Sequence, residues 1–175
     1  MRRSVQKKHI AEVFVKLAQR CTSPGRIYIV GGTTAVLIGW RDSTTDIDLK
    51  LNPEPKGIFE AIRNLKDELQ VNIELASPDN FMPALPNWED RSQFIATYNC
   101  IDFYHYDFYA QALSKILRSH DRDLQDVQAM FEQKLINPAE LKQLYTAIEP
   151  QLFQYPSIDS QAFRNQVEAI CGRIS

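Results

Sequence analysis

The stretch Ile27–Leu51, IYIVGGTTAVLIGWRDSTTDIDLKL, contains the features that decide the fold. It opens with a short β-branched and aromatic run, passes through the pair Gly31-Gly32, and continues into a small apolar segment that predicts a short helix. It ends in a second predicted strand, where Asp46 and Asp48 alternate with apolar residues. Side chains alternate along a strand, so both aspartates are expected on one face. A slip of one residue would exchange the two faces.

Two carboxylates side by side on a strand repel each other, and a divalent cation between them relieves that repulsion. Oxygen ligands of this kind suit Mg²⁺ or Mn²⁺. A third carboxylate on a neighbouring strand would complete a two-metal site. Glu74, between Ile73 and Leu75 in the predicted strand QVNIELA, is the candidate for this role. Asp102 and Asp107 in IDFYHYDF are the alternatives.

The glycine pair marks the place where a phosphate could approach the backbone. Gly31 and Gly32 end one strand and open a helix, and they carry no side chain that would keep an anion away. Thr33 and Thr34 add hydroxyl groups to the same turn. Taken alone, the glycines would indicate an ordinary strand-to-helix turn, and the aspartates a solvated edge strand. Their combination favours a phosphate and metal site.

The same residues carry a family resemblance. Gly31-Gly32, thirteen further residues, and then Asp46-Ile47-Asp48-Leu49 resemble the signature of the DNA polymerase beta-like nucleotidyltransferase superfamily. The stretch looks most like the small bacterial members related to abortive-infection toxin nucleotidyltransferases. The resemblance covers Ile27 to Val127 and is carried mainly by Ile29–Leu51.

The resemblance implies roles for particular residues. The aspartate pair would bind metal, and the glycines would hold the triphosphate. A later helical motif, ALSKILRSHDRDLQDV, would supply Lys115 to the phosphates, with Asp123 and Asp126 as acidic partners.

Each residue of the helical motif also has a purely structural interpretation. Lys115 could be a surface lysine, Asp123 could favour a helix N-terminus, and Asp126 could pair with Arg122. Arg41, in the loop before the aspartates, could bind the triphosphate through its planar guanidinium, or form an ion pair with Asp42 or Asp46.

The rest of the chain predicts an α+β fold with an α/β-type core. A nucleotidyltransferase-like mixed β-sheet with flanking helices is followed by a C-terminal helical part. We expect residues 1–107 to form the core with its N-terminal helix, and residues 108–175 to form the helical part packed on it. The segment SPDNFMPALPNWEDRS, with three prolines, predicts a loop, and the two runs after it predict a β-hairpin turning near Asn99 and Cys100.

Composition narrows the class of protein. The 175 residues include 20 Lys and Arg against 22 Asp and Glu, a formal charge of -2, which argues against a strongly basic nucleic-acid-binding protein. The three cysteines form no CxxC pattern, so no disulfide framework or zinc knuckle is predicted. No signal-peptide core or membrane-spanning run is present, and a cytoplasmic protein without membrane contact is expected.

Two functions follow from this sequence. The leading hypothesis is an enzyme that uses Mg²⁺ or Mn²⁺ to transfer a nucleoside monophosphate from ATP or another nucleoside triphosphate to an acceptor. The acceptor would be an RNA such as tRNA, a protein or a small molecule. The alternative is a weakly active or inactive binding protein on the same fold, such as one component of a toxin–antitoxin pair.

Overall fold

The computed structural model describes residues 4–174 of the chain. Within them, the strands are Gly25–Val30 (β1), Asp46–Leu51 (β2), Asn72–Leu75 (β3), Gln93–Tyr98 (β4) and Ile101–His105 (β5). The α-helices are Lys7–Arg20 (α1), Gly32–Ile38 (α2), Ile58–Glu68 (α3), Trp88–Arg91 (α4), Phe108–Arg118 (α5), Asp121–Glu132 (α6), Pro138–Ile148 (α7) and Ser160–Ile174 (α8). Two 3-10 turns lie at Pro78–Asn80 and Glu149–Gln154.

The five strands form one mixed sheet in the order β3-β2-β1-β5-β4. β1 pairs antiparallel with β2 and parallel with β5, while β3 runs parallel to β2. β4 and β5 form the antiparallel hairpin that the sequence predicts, with its turn at Asn99 and Cys100. The predicted α+β class, with a mixed sheet, flanking helices and C-terminal helices, is confirmed.

One face of the sheet is covered by apolar side chains. Every second residue of β1, β2 and β5 is buried on this face, as the period of a strand requires. α1 and α3, which contact each other, add buried apolar stripes whose residues recur at three and four positions along the sequence. The strand residues of this core are Ile27, Ile29, Ile47, Leu49, Ile73, Ile101 and Phe103. The alternate residues of β2 and β3 therefore point to the other face, where the candidate site lies.

The segment after β3 differs from its prediction as a loop without regular elements. It contains the 3-10 turn Pro78–Asn80 and the one-turn helix α4. Proline is compatible with the first turn of a helix, where its missing N–H would have no helical partner. A proline-rich composition therefore does not exclude short helical turns.

The described residues divide into two compact units. The first contains β1 to β5 with α1, α2 and α3. The second is built from residues 78–91 together with the helices from α5 onward. Within the second unit, α5 contacts α6, α7 and α8, and Tyr145 packs edge-to-face against Phe163 with ring centroids 5.0 Å apart. None of the helices in residues 4–174 combines the length and apolar character needed to cross a membrane.

Candidate active site

Strand register brings the candidate carboxylates to one place on the sheet. β2 and β3 run side by side, and their paired residues are Asp46 with Asn72 and Asp48 with Glu74. Paired residues of neighbouring strands share a face, so the three acidic side chains lie on the same side of the sheet. Ile47, between the aspartates, is fully buried on the opposite side. The register thus places Glu74 directly beside Asp48.

Asn72 links the two strands through its side chain. Its amide Nδ2 donates to Oδ1 of Asp46 at 2.7 Å and to Oε1 of Glu74 at 2.6 Å. The two carboxylates share one donor nitrogen, so their accepting oxygens are separated by no more than the sum of these distances. No motif of the sequence points to Asn72. Its signal was its position two residues before Glu74, on the same face of the strand.

Asp46 is held by hydrogen bonds at both its carbonyl and its carboxylate. The hydroxyls of Thr33 and Thr44 donate to its backbone oxygen at 3.1 Å and 3.2 Å, and Thr45 Oγ1 donates to its Oδ2 at 2.9 Å. Thr33 is fully buried, and its hydrogen bond to Asp46 connects α2 to the start of β2. A role of Thr33 in holding phosphate stays a prediction.

Gly31 turns the chain from β1 into α2 directly beside Asp48. Its φ of 66° and ψ of -133° form a conformation that residues with a side chain rarely adopt. A Cβ added at this position would lie 3.2 Å from Oδ2 of Asp48. The backbone conformation therefore favours glycine, and a side chain here would also crowd the carboxylate of Asp48.

Gly32 lies against the loop that precedes the aspartates. A Cβ there would be 2.4 Å from Thr44 Oγ1 and 3.4 Å from Nη1 of Arg41. The guanidinium of Arg41 consequently lies beside the glycine turn, where the sequence predicts a phosphate site. The structure brings Gly31, Gly32, Arg41, Asp46, Asp48 and Glu74 to one region of the first unit.

Thr34 has a different environment from the one the sequence suggested. Its hydroxyl donates to the carbonyl of Ile29 at 3.2 Å and lies 3.3 Å from Nδ1 of His105. The single hydroxyl hydrogen is used on Ile29, so Nδ1 of the imidazole acts as the donor to Thr34. Burial lowers the pKa of His105 to about 4, and the ring is therefore neutral at physiological pH.

The two alternatives to Glu74 occupy other positions. Asp102 pairs in register with Arg26, whereas Asp48 pairs with Val30 at the other end of β1. The Asp102 carboxylate accepts from Thr97 Oγ1 at 2.6 Å. Asp107 belongs to the second unit.

Asp107 caps a helix rather than extending β5. Its carboxylate accepts the backbone N–H of Tyr109 at 2.9 Å, and Arg91 donates to it through Nη2 at 2.6 Å. Burial raises the pKa of Asp107, although the bonds from Arg91 act in the opposite direction. The register therefore favours Glu74 as the third carboxylate of the candidate site.

Lys115 and Asp123 form part of a buried network in the second unit. The Lys115 ammonium donates to Asp126 at 2.6 Å and to Asp123 at 3.3 Å, and Arg118 also donates to Asp123 through Nη2 at 2.8 Å. Burial acts to raise the pKa of Asp123, but Arg118 and Lys115 hold it below its ordinary value. The surface-lysine interpretation of Lys115 does not agree with these contacts, because Lys115 is buried and pairs with Asp126. Their roles toward a nucleotide stay predictions.

The chemistry of the donor set fits a hard divalent cation. Asp46 and Asp48 project from one strand face, and Mg²⁺ sites typically combine one or two carboxylates with waters and substrate phosphates. Among residues 4–174, no group of three His, Cys, Asp or Glu side chains is gathered closely enough to hold a metal by itself. A site built from the two aspartates and a bound substrate agrees with both observations.

Comparison with known proteins identifies the family. A family model described as "Nucleotidyltransferase of unknown function (DUF6036)" matches residues 8–171, which is nearly the whole chain. No curated protein and no solved structure matches the chain. The matched range includes the glycine turn, the aspartate strand and the helical motif. The chain belongs to the DUF6036 family of nucleotidyltransferases.

Proposed function

We propose that this protein is a metal-dependent nucleotidyltransferase that moves a nucleoside monophosphate from a nucleoside triphosphate to an acceptor. The observation that carries this proposal is the pairing of Asp48 with Glu74, one strand away from the Gly31 turn. Family membership supports the general class of reaction. The cation and the acceptor are part of the proposal.

The reaction forms one bond at phosphorus and breaks another. The acceptor oxygen bonds to the α-phosphorus, while the bond from this phosphorus to the oxygen bridging to the β-phosphate breaks. Pyrophosphate leaves with that electron pair, and the acceptor proton passes to a base. Little covalent chemistry is required of the protein, so positioning and electrostatic stabilisation account for most of the catalysis.

Asp46 and Asp48 are the residues that would hold the cation. When bound, Mg²⁺ or Mn²⁺ would neutralise charge on the phosphates and help to orient the attacking oxygen. Glu74 is proposed as the third carboxylate, as the base that takes the acceptor proton. Its position beside Asp48 and its hydrogen bond to Asn72 support that role. To serve as a third ligand it would have to move toward the aspartates when a cation binds, because residues 4–174 gather no group of three such ligands.

The glycine turn is proposed as the place where the triphosphate lies. Gly31 and Gly32 present backbone without side chains, and Arg41 places a guanidinium next to Gly32. A planar guanidinium can bind phosphate oxygens through two parallel hydrogen bonds. Together these residues would orient the β- and γ-phosphates near the aspartates.

Transfer of label tests the proposal. The wild-type protein, Mg²⁺ and each α-³²P-labelled nucleoside triphosphate are incubated with a cell extract. The products are then separated into RNA, protein and small molecules. We expect label in one fraction. The double variant Asp46→Asn with Asp48→Asn should lower this activity by about 100-fold or more, because removing groups that stabilise charge in the transition state has effects of that size.

The matched control is Asp67→Asn, which removes a carboxylate from the exposed surface of α3. It should transfer label as the wild type does. Circular dichroism of all variants checks that the fold is intact. Undiminished transfer by a folded double variant would contradict the mechanism, and a wild-type protein inert with all four triphosphates would favour the binding-protein alternative.

A further inference from the structure

We infer that Asn72 is a positioning residue of the candidate metal site, one that orients Asp46 and Glu74 before a cation arrives. This inference rests on the proposed function, because it assigns a role within that site. Asn72 touches neither the phosphates nor the acceptor in the proposal. It acts through the two carboxylates to which it donates.

The hydrogen bonds fix which end of the amide faces the carboxylates. Asp46 and Glu74 accept hydrogen bonds when ionised and cannot donate, so the nitrogen of Asn72 must be the atom that lies between them. A side-chain amide has two N–H groups, which matches the two acceptors. The oxygen of the same amide would repel both.

Asn72 carries no charge, and this is important for a cation site. A lysine at this position would also bridge the carboxylates, but its positive charge would cancel the negative potential that attracts a divalent ion. The amide brings the two acids together and leaves their charges in place. It therefore keeps the site attractive to Mg²⁺ or Mn²⁺.

Asp46 is restrained on both of its oxygens. Asn72 holds Oδ1, and the Thr45 hydroxyl donates to Oδ2. Residues that hydrogen-bond to metal ligands fix the orientation of those ligands, and their loss commonly weakens metal affinity by about 10- to 100-fold. The hydrogen bond from Asn72 comes from the neighbouring strand, so it also couples the position of Asp46 to β3.

Manganese binding tests this role without depending on catalysis. Mn²⁺ is titrated into the protein at a fixed pH, and the free ion is measured by electron paramagnetic resonance. Asn72→Leu keeps the number and branching of the heavy atoms in the asparagine side chain and donates no hydrogen bond. We expect it to raise the Kd for Mn²⁺ by about tenfold or more.

Thr97→Val is the matched control. It removes a hydroxyl that donates to Asp102 at 2.6 Å, a comparable bond to a carboxylate on the same sheet but away from Asp48. Its Kd for Mn²⁺ should equal that of the wild type. Asn72→Ala gives a second comparison, and circular dichroism identifies any variant that does not fold.

The outcomes separate this inference from the proposed function. Equal Mn²⁺ affinity in wild type and a folded Asn72 variant would overturn the role of Asn72 and leave the nucleotidyltransferase proposal standing. A wild-type protein that binds no Mn²⁺, with or without nucleoside triphosphate, would overturn the metal chemistry and the role of Asn72 together. A weakened variant with an unchanged control supports both.

Discussion

Gly31 is the residue whose conformation is most restricted by the candidate site. Substitution by alanine would force a side chain into a positive-φ conformation and place its Cβ 3.2 Å from Asp48 Oδ2. We expect Gly31→Ala to lower the free energy of unfolding by about 1 to 3 kcal/mol and to reduce nucleotide transfer. Urea unfolding measures the first effect.

Gly172 provides the matched substitution, since it lies in α8 and a Cβ there meets no atom within 4 Å. Alanine is favoured over glycine in helices by up to about 1 kcal/mol. Gly172→Ala should therefore leave stability unchanged or slightly raised. Equal losses at both glycines would show that the conformation of Gly31 is not the cause.

The identity of the third carboxylate can be tested by neutralising each acid. We expect Glu74→Gln to reduce nucleotide transfer on the order of 100-fold, the usual contribution of a positioned acid or base. Asp102→Asn should have no such effect. Asp102 pairs with Arg26, near the start of β1, whereas Asp48 pairs with Val30 at the end of that strand. Rates of label transfer from the two folded variants decide the assignment, and a larger loss in Asp102→Asn would reverse it.

At the residue level, the sequence singles out the aspartates and glycines as a candidate site but does not point to Asn72. The aspartates and glycines lie close together in the chain, so spacing alone relates them. The hydrogen bonds of Asn72 depend on the register between β2 and β3, which are separated by α3. Strand pairing across such a distance cannot be read from local spacing, and for the same reason the sequence left Asp102 and Asp107 as alternatives.

At the level of elements, the start of α5 depends on a buried ion pair. Asp107 has no exposed surface, caps the helix and accepts from Arg91. Removing one member of such a pair leaves an uncompensated charge, so we expect Arg91→Met to lower the free energy of unfolding by about 3 kcal/mol. Urea denaturation followed by circular dichroism gives this value.

A double variant shows whether the buried charge is responsible. In Arg91→Met with Asp107→Asn, the asparagine oxygen can still accept the N–H of Tyr109, and no charge remains buried. The double variant should recover part of the lost stability. If it is as unstable as Arg91→Met alone, the loss comes from the packing of Arg91 and not from its charge.

Elements with a clear period were predictable from the sequence. Apolar residues recur at three and four positions in α1, α3 and α5 to α8, and these segments are the observed helices. The alternation in β2 corresponds to a strand with one buried side. Asn137 followed by Pro138 is a helix-start signal that the sequence shows, and the Asn137 side chain caps α7 by accepting from the Glu140 N–H at 2.9 Å. α4 and the turn Pro78–Asn80 are too short to show a period, so they were not predicted.

For the whole molecule, the neutral state of buried His105 makes stability depend on pH. Its pKa is about 4 in the folded protein against an ordinary 6.5, so the unfolded chain binds the extra proton first as pH falls. The stability from this group is complete above pH 6.5 and declines as pH decreases toward 4. This difference in the pKa of His105 lowers the free energy of unfolding by about 2 kcal/mol between pH 7 and pH 5.

Urea unfolding at both pH values measures this loss. His105→Asn does not titrate, and its amide can still donate to Thr34, so it should lose less stability between pH 7 and pH 5. Carboxylates titrate in both proteins and cancel in the comparison. Identical pH dependence of the two proteins would contradict the assigned pKa.

The division into two compact units has a consequence for cutting the polypeptide. The chain passes from one unit to the other after residue 77, after residue 91 and again after residue 106. A fragment ending at Tyr106 would keep Arg91 but lose Asp107, and the turn Pro78–Asn80 would lose its contact with α5. No single cleavage can release either unit intact. Expressed alone, the fragment ending at Tyr106 or the fragment beginning at Asp107 should therefore be sensitive to proteases. Co-expression of the two fragments offers a route to recover the fold.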